Sequence, residues 1–142
     1  MKRLLTRLKN DEGVGAIEFA LITPIFMAFT FGIIVYGFYF ATLIGLEQAA
    51  AEGARAAVRG LTNAERITLA TEAVDRTLEN YGGLIDDVLV VRNIEVDPVN
   101  PGLFRVELTY NFNNGPFGDL GAFVPLPAGG PNVETIVSNG GF

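Results

Sequence analysis

Carboxylates are the side chains through which this sequence could do chemistry. Asp86 and Asp87 are adjacent and could in principle act as an acid and a base. Neighbouring residues on a strand point to opposite faces, so these two carboxylates would not face the same site. We interpret them as solvated turn charges. The chain has no histidine, so its one serine, Ser138, has no imidazole to activate it as a nucleophile. These features predict that the protein is not an enzyme.

The remaining composition limits the cofactors and partners to expect. The chain has no cysteine, so it can form neither a disulfide framework nor a thiolate metal site. It has no glycine-rich cofactor loop either, and neither a metal nor a cofactor is predicted. The 16 acidic residues outnumber the 10 basic ones, for a formal net charge of −6. This balance, with scattered arginines, argues against a nucleic acid partner.

A further carboxylate, Glu18, lies at the start of a long apolar run. Residues 19–46 form a stretch of 28 positions without a formal charge. As a helix this stretch would extend about 42 Å, which exceeds the ~30 Å hydrocarbon core of a bilayer. It is also about twice as long as the apolar region of a cleaved secretory signal. We therefore expect one membrane-spanning helix, in contact with lipid to about residue 46.

The charges before this run predict its orientation. Lys2, Arg3, Arg7 and Lys9 precede Gly13, and the positive-inside bias keeps such a cluster in the cytoplasm. We expect a single-pass inner-membrane protein with a cytoplasmic N-terminus and a periplasmic C-terminal domain.

Past the apolar run the sequence stays helical. Residues 49–59 are rich in alanine, the best helix former, and Gly60 is expected to be the C-cap residue. We therefore expect one long helix over residues 14–60. Pro24 lies early in this helix, where its missing N–H should kink or locally unwind the backbone.

Small residues recur at every fourth position of the long helix. Gly37, Ala41, Gly45 and Ala49 begin this ridge, which Gly53 and Ala57 continue. Such a ridge lets another helix approach closely within a membrane, and on that interpretation Gly45→Leu should leave the folding of the later domain unaffected. The alternatives are chance spacing and packing on the chain's own domain.

Residues 61–142 predict a small exported domain. Thr62 and Glu65 form a capping box, and an apolar stripe from Ile67 to Tyr81 follows on a helix that stops at Gly82. Strands are expected over residues 88–96, 104–112 and 132–137, with a loop over 117–131. The fold class is α+β: a long N-terminal transmembrane helix continues into one helix packed on a two- to three-stranded antiparallel sheet.

The junction before the apolar run resembles a known family. In residues 13–24 a glycine is followed, at the fifth residue after it, by Glu18 and an aromatic side chain, and then by an apolar helix with the early Pro24. This pattern is similar to the N-terminus of the TadE-like family, the minor pilins or pseudopilins of the tight-adherence (Tad) branch of type IV pilus systems.

The resemblance implies a processing step and a set of partners. A prepilin peptidase would cleave between Gly13 and Val14, so that residues 1–13 are a cytoplasmic leader. The other implied partners are further pilins and pseudopilins and the inner-membrane pilus assembly platform. The implied function is assembly of a Tad pilus used in surface adhesion, with the protein reaching the cell surface as part of that pilus.

Cleavage would give Glu18 a partner. An ionised carboxylate at mid-membrane costs roughly 2.5–3.5 kcal/mol on insertion scales, so such groups usually have one. The new α-amino group of Val14, on the same or a neighbouring subunit, would supply the positive charge. Alternatively, Glu18 lies among the lipid headgroups and caps the helix.

A second function from another class stays open at this point. The chain could remain uncleaved, as a single-span membrane protein whose periplasmic domain scaffolds another envelope complex.

Overall fold

The structure, a computed structural model, describes residues 11–115, 124–125 and 130–138. Residues 1–10 of the predicted leader lie outside the described residues, as does most of the predicted loop over 117–131. The described chain is α+β, with one long N-terminal helix, a second helix and a three-stranded antiparallel sheet. The predicted fold class is confirmed.

Helix α1 runs over Asp11–Ala57. It ends in a turn in which the N–H of Gly60 donates to the carbonyl of Ala57 at 3.0 Å. The predicted end at Gly60 is therefore three residues late. A Cβ atom on Gly60 would lie 2.6 Å from Cγ of Arg66. The glycine is suited to this position because the next helix starts so close to it.

Helix α2 runs over Asn63–Glu79 and begins with the predicted cap. Oγ1 of Thr62 accepts a hydrogen bond from the N–H of Glu65 at 3.2 Å. The Glu65 carboxylate in turn accepts a hydrogen bond from the N–H of Leu61 at 2.9 Å, one residue earlier than in a standard capping box. Three residues of the predicted stripe are buried: Ala70, Val74 and Leu78.

Three strands form the sheet: β1 over Val90–Val96, β2 over Leu103–Tyr110 and β3 over Asn132–Ser138. They lie in the order β1-β2-β3, and both pairs are antiparallel. Strand β2 is central, and its alternate side chains are buried as predicted: Phe104, Val106, Leu108 and Tyr110. A short 3-10 helix, Asp87–Leu89, precedes β1, so this strand starts two residues later than predicted.

The sheet packs mainly on α1, whereas the sequence predicts that it packs on α2. Strands β2 and β3 contact α1, and α2 reaches the sheet mainly through β1. Aromatic rings join α1 to the end of β2, since the centroid of Phe38 lies 6.3 Å from that of Tyr110 and 5.6 Å from that of Phe112. The alanine and glycine side of α1 allows this arrangement, because small side chains let both α2 and the sheet come close.

This packing covers one side of α1 from residue 35 onward. Val35, Thr42 and Leu46 are fully buried in the domain, whereas residues 14–34 are mostly exposed. Those 21 residues would extend about 32 Å as a helix, close to the ~30 Å hydrocarbon core. The domain packs on one side of the helix from residue 35, while Phe40 and Ile44 on the other side stay more than half exposed, so the span to about residue 46 stays a prediction.

Asp97 holds the turn between β1 and β2. Its carboxylate accepts hydrogen bonds from the N–H groups of Val99 and Asn100, both at 2.8 Å, and from Nη2 of Arg105 at 2.7 Å. Arg105 also pairs with Glu134 of β3 at 3.0 Å. The bond from Arg105, followed by the two backbone N–H groups, holds the pKa of Asp97 below its usual range.

We expect this turn to make the domain sensitive to acid. A carboxylate whose pKa is lower in the folded state stabilises it above the unfolded pKa of about 3.9, and that stabilisation is lost as the pH falls through the folded value. The urea midpoint of the wild type should therefore fall between pH 6 and pH 3. Asp97→Asn should show a smaller fall, while Glu72→Gln, at an exposed position, should behave like the wild type. Equal falls in all three proteins would contradict this assignment.

Candidate assembly helix

The first half of α1 exposes apolar side chains on every side. Consecutive and alternate positions over residues 14–34 are uncovered, including Phe19, Leu21 and Ile25, each more than 70% exposed. A helix that is apolar all round normally lies inside a membrane or a bundle of other helices. Among the residues that the structure describes, this helix alone is long and apolar enough to cross a membrane, which is the character of a single-pass membrane protein.

Glu18 lies on this exposed surface. Among the residues that the structure describes, no basic side chain forms an ion pair with it. It follows Val14 by four residues, so the two lie on the same face about 6 Å apart along the axis. An amino group at Val14 would therefore lie one helical turn from the carboxylate of the same chain, and it could equally reach the Glu18 of an adjacent, shifted helix.

Gly13 and Val14 lie within α1 and are exposed. A Cβ atom on Gly13 would meet nothing within 4 Å, and the same is true of Gly15. The described chain therefore has room for a larger side chain at either glycine.

Pro24 does not unwind the helix. Helix α1 is continuous through this residue, although proline cannot donate to the carbonyl of Ala20. One turn of the same region is reinforced by the Thr23 hydroxyl, which donates to the carbonyl of Phe19 at 2.6 Å. Local unwinding, one of the two predicted effects, is not observed at Pro24, and the kink stays a prediction.

The ridge of small residues divides into two parts. Gly37 faces open space, whereas a Cβ atom on Gly45 would lie 2.6 Å from Cδ1 of Ile85 and 3.4 Å from the Tyr81 ring. Ala41 is half-buried and Ala49 is fully buried. The chain's own domain therefore covers Gly45 and Ala49, which favours the alternative that this part of the ridge packs within the chain. On this interpretation Gly45→Leu should disturb that domain.

Gly53 marks the closest packing along the ridge. A Cβ atom there would lie 2.6 Å from Cγ2 of Val74, 3.3 Å from the carbonyl of Ala70 and 3.6 Å from Val106. Helix α2 and strand β2 thus meet α1 at this one glycine. The sequence carries a signal for this contact, because the four-residue spacing continues to Gly53, beyond any length of helix that lipid could cover.

A contact that the sequence does not indicate ties the C-terminal region to α1. The hydroxyl of Tyr36 donates to the carbonyl of Pro125 at 2.7 Å, and the neighbouring Val124 is buried. This bond joins residues 89 positions apart. It lies directly after the exposed segment, where the domain begins to cover the helix.

Comparison with known proteins identifies the same helix. The family model described as TadE-like protein matches residues 13–55, which begins at Gly13 and ends two residues before the end of α1. No curated protein and no solved structure matches the chain. The match includes Glu18, Pro24 and the ridge from Gly37 to Gly53. Over residues 13–55, which make up most of α1, the chain is therefore similar to the TadE-like family.

Proposed function

We propose that this protein is a minor pilin that enters a Tad-type pilus after a prepilin peptidase removes residues 1–13. The observation that carries the proposal is the uncovered apolar helix over residues 14–34, which bears Glu18 and lies within the segment matched by the TadE-like family. The function is structural and not enzymatic. Other pilins and pseudopilins, the peptidase and the inner-membrane assembly platform are the proposed partners, and adhesion to surfaces is the proposed use of the filament.

Before assembly, the proposed location is the inner membrane. Residues 14–34 span the lipid, the basic leader stays in the cytoplasm, and the domain lies in the periplasm. Burial of Val35, Thr42 and Leu46 on one side of α1 is consistent with a domain that begins just outside the lipid.

During assembly, the same apolar surface exchanges lipid for the helices of neighbouring pilins. Little hydrophobic free energy is gained by that exchange, because lipid tails are as apolar as the side chains they cover. Charge pairing, which lipid tails cannot provide, would therefore make the contact with another pilin specific. Glu18 would pair with the Val14 amino group of a neighbouring subunit, where the absence of water strengthens the attraction.

The domain is packed tightly on α1, so the two should move together during assembly. Ala49 and Ala50 are fully buried, and Gly53 is enclosed by α2 and β2. The domain therefore packs directly on α1, and a helix that enters a filament carries the domain to a defined position on the outside.

Substitution of Glu18 tests this function. Glu18→Ala should insert in the membrane and lose its leader normally, yet its amount in sheared pili should fall about tenfold, because a pair worth about 1.4 kcal/mol is lost. The measurement is immunoblotting of sheared filaments against the membrane fraction of the same cells.

Glu47→Ala is the matched control, since it makes the same change on an exposed part of α1 within the domain. It should enter filaments like the wild type. Normal incorporation of Glu18→Ala would contradict the pairing, and absence of the wild-type chain from filaments would contradict the function itself.

A further inference from the structure

One side of α1 stays apolar and uncovered beyond the residue at which the domain begins. Ile33, Phe40 and Ile44 are each more than half exposed, and a Cβ atom on Gly37 would meet nothing within 4 Å. At 3.6 residues per turn, these positions lie within about 60° of one another around the helix axis. We call them the outer strip of α1. The outer strip continues the exposed apolar surface of residues 14–34 without a break.

The domain lies on the opposite side of the helix. Val35, Thr42 and Leu46 are fully buried, and they lie about half a turn around the axis from the outer strip. The same length of α1 therefore packs on protein along one side and is left uncovered by the described residues along the other. An exposed apolar surface that continues for about three turns normally marks contact with a membrane or with another protein.

Charged side chains follow the outer strip on the same side of α1. The positions that continue this side are Glu47, Ala51 and Arg55, and all three are exposed. Arg55 forms an ion pair with Glu52 there. The change from Ile44 to Glu47 therefore marks the level at which an apolar environment can end and water can begin.

We propose that, before assembly, the outer strip lies against the lipid of the periplasmic leaflet, and that α1 leans towards this strip with the domain on its upper side. This inference rests on the inner-membrane location within the proposed function. It adds the surface that contacts lipid beyond residue 34 and the direction in which the helix tilts. Lipid is the occupant because the outer strip continues, on one unbroken helix, the apolar surface that the membrane covers.

The length of α1 agrees with a tilted helix. Ile44 lies 30 positions after Val14, which corresponds to about 45 Å of helix. An upright helix of this length exceeds the ~30 Å hydrocarbon core by about half. Tilts of membrane helices range up to about 40°, and at that angle the same length spans about 34 Å of membrane thickness. With Val14 at the cytoplasmic edge of the core, Phe40 then lies at the opposite edge and Ile44 just within the headgroup layer.

The two sides of α1 define the direction of the tilt. A tilted helix leaves the lipid at different levels on its two sides, and its lower side, which faces the membrane surface, stays in lipid over a greater length. The outer strip must therefore form the lower side, and the domain, which begins at Val35, must lie on the upper side. In an upright helix, by contrast, Phe40 and Ile44 would lie in water.

Single tryptophans in the full chain test the contact with lipid, because the chain has no tryptophan of its own. Phe40→Trp and Ile44→Trp each place an indole in the outer strip, at positions exposed enough to leave the core unchanged. Each variant is reconstituted in vesicles of phosphatidylcholine that carries bromine on its acyl chains near the headgroup. Bromine quenches tryptophan at short range, so both variants should lose a large part of the emission that they show in unbrominated vesicles. Their emission maxima should be shifted to the blue of tryptophan in water.

Two further positions on α1 provide the controls. Phe29→Trp lies within the exposed apolar segment and reports insertion of the helix. It should be quenched more by bromine near the ends of the acyl chains than by bromine near the headgroup, and Ile44→Trp should show the reverse order. Ala51→Trp lies on the same side of α1 as Ile44, about two turns further on, and is exposed. It should escape quenching and emit like tryptophan in water.

Three results would overturn the inference. Unquenched, water-like emission from Phe40→Trp and Ile44→Trp would mean that α1 stands upright with the outer strip in water. Blue-shifted emission without quenching would mean that a second copy covers the strip in place of lipid. An unquenched Phe29→Trp would contradict the membrane location itself.

The vesicles contain no other pilus component, so this test does not depend on assembly. The amount of wild-type chain in sheared pili, measured separately, distinguishes the two proposals. Normal incorporation without quenching in the outer strip rejects the lipid contact and keeps the pilin function. Quenching in the outer strip without incorporation rejects the pilin function and keeps the lipid contact.

Discussion

Replacing Gly53 with leucine is expected to destabilise the domain by about 3 kcal/mol or more, at the upper end of the cost of overpacking a core. The new side chain would start 2.6 Å from Cγ2 of Val74 and 3.3 Å from the backbone carbonyl of Ala70. Neither neighbour is the flexible end of a long side chain, so α2 must move away from α1. A loss of this size is a large part of the 5–15 kcal/mol that typically stabilises a folded protein.

The full chain in detergent micelles allows the measurement. Because the chain has four tyrosines and no tryptophan, near-ultraviolet circular dichroism of tyrosine can follow thermal unfolding. Gly37→Leu is the control, since a Cβ atom there meets nothing within 4 Å. Val74→Ala should recover part of the stability in the Gly53→Leu background by making room. If Gly53→Leu and Gly37→Leu unfold at the same temperature, the close packing described here is wrong.

Local features of the sequence predict local structure well in this protein. Thr62 and Glu65 cap α2, and the alternation from Phe104 to Tyr110 places one face of β2 in the core. Both signals act over a few residues, because a cap needs only the first turn and a strand face needs only a period of two. The cap of α2 and the buried face of β2 can therefore be predicted without knowledge of the rest of the fold.

The partner of each face of α1 could not be predicted in the same way. Glycine and alanine at every fourth position suit close packing on a pilin helix in lipid and on α2 in water equally well. The structure separates the two, with Gly37 in open space and Gly45 against Ile85. The hydrogen bond from Tyr36 to Pro125 could not be predicted from the sequence either, because the two residues are 89 positions apart and neither belongs to a motif.

The sequence predicts those residues of the candidate assembly site that lie within one short family pattern. Gly13, Glu18 and Pro24 lie within one short segment, and the TadE-like match includes it. A pocket lined by residues from distant parts of the chain could not be predicted. Asp75 and Tyr110, which line the same pocket, belong to α2 and to the central strand.

Gly13→Leu is expected to abolish removal of the leader. The described chain has open space at this position, so the substitution should not disturb the fold or membrane insertion. A peptidase that requires a small residue before the cleaved bond would be blocked by a branched side chain. The unprocessed chain should accumulate in the membrane and be absent from sheared pili.

Gly15→Leu is the matched control for that substitution. It makes the same change two residues later, again into open space. We expect normal processing, visible as a shift in gel mobility in cells with an active prepilin peptidase. If Gly15→Leu blocks processing and Gly13→Leu does not, the cleavage site follows Gly15 and Glu18 is the third residue of the mature chain.

The intact mass of the wild-type protein, purified from its native membrane, tests the central claim most directly. A pilin must lose its leader before assembly, whereas a scaffold with one membrane span keeps it. We predict a mass that lacks residues 1–13, with Val14 as the N-terminal residue. A chain that still begins at Met1, from cells with an active prepilin peptidase, would contradict the proposed pilin function.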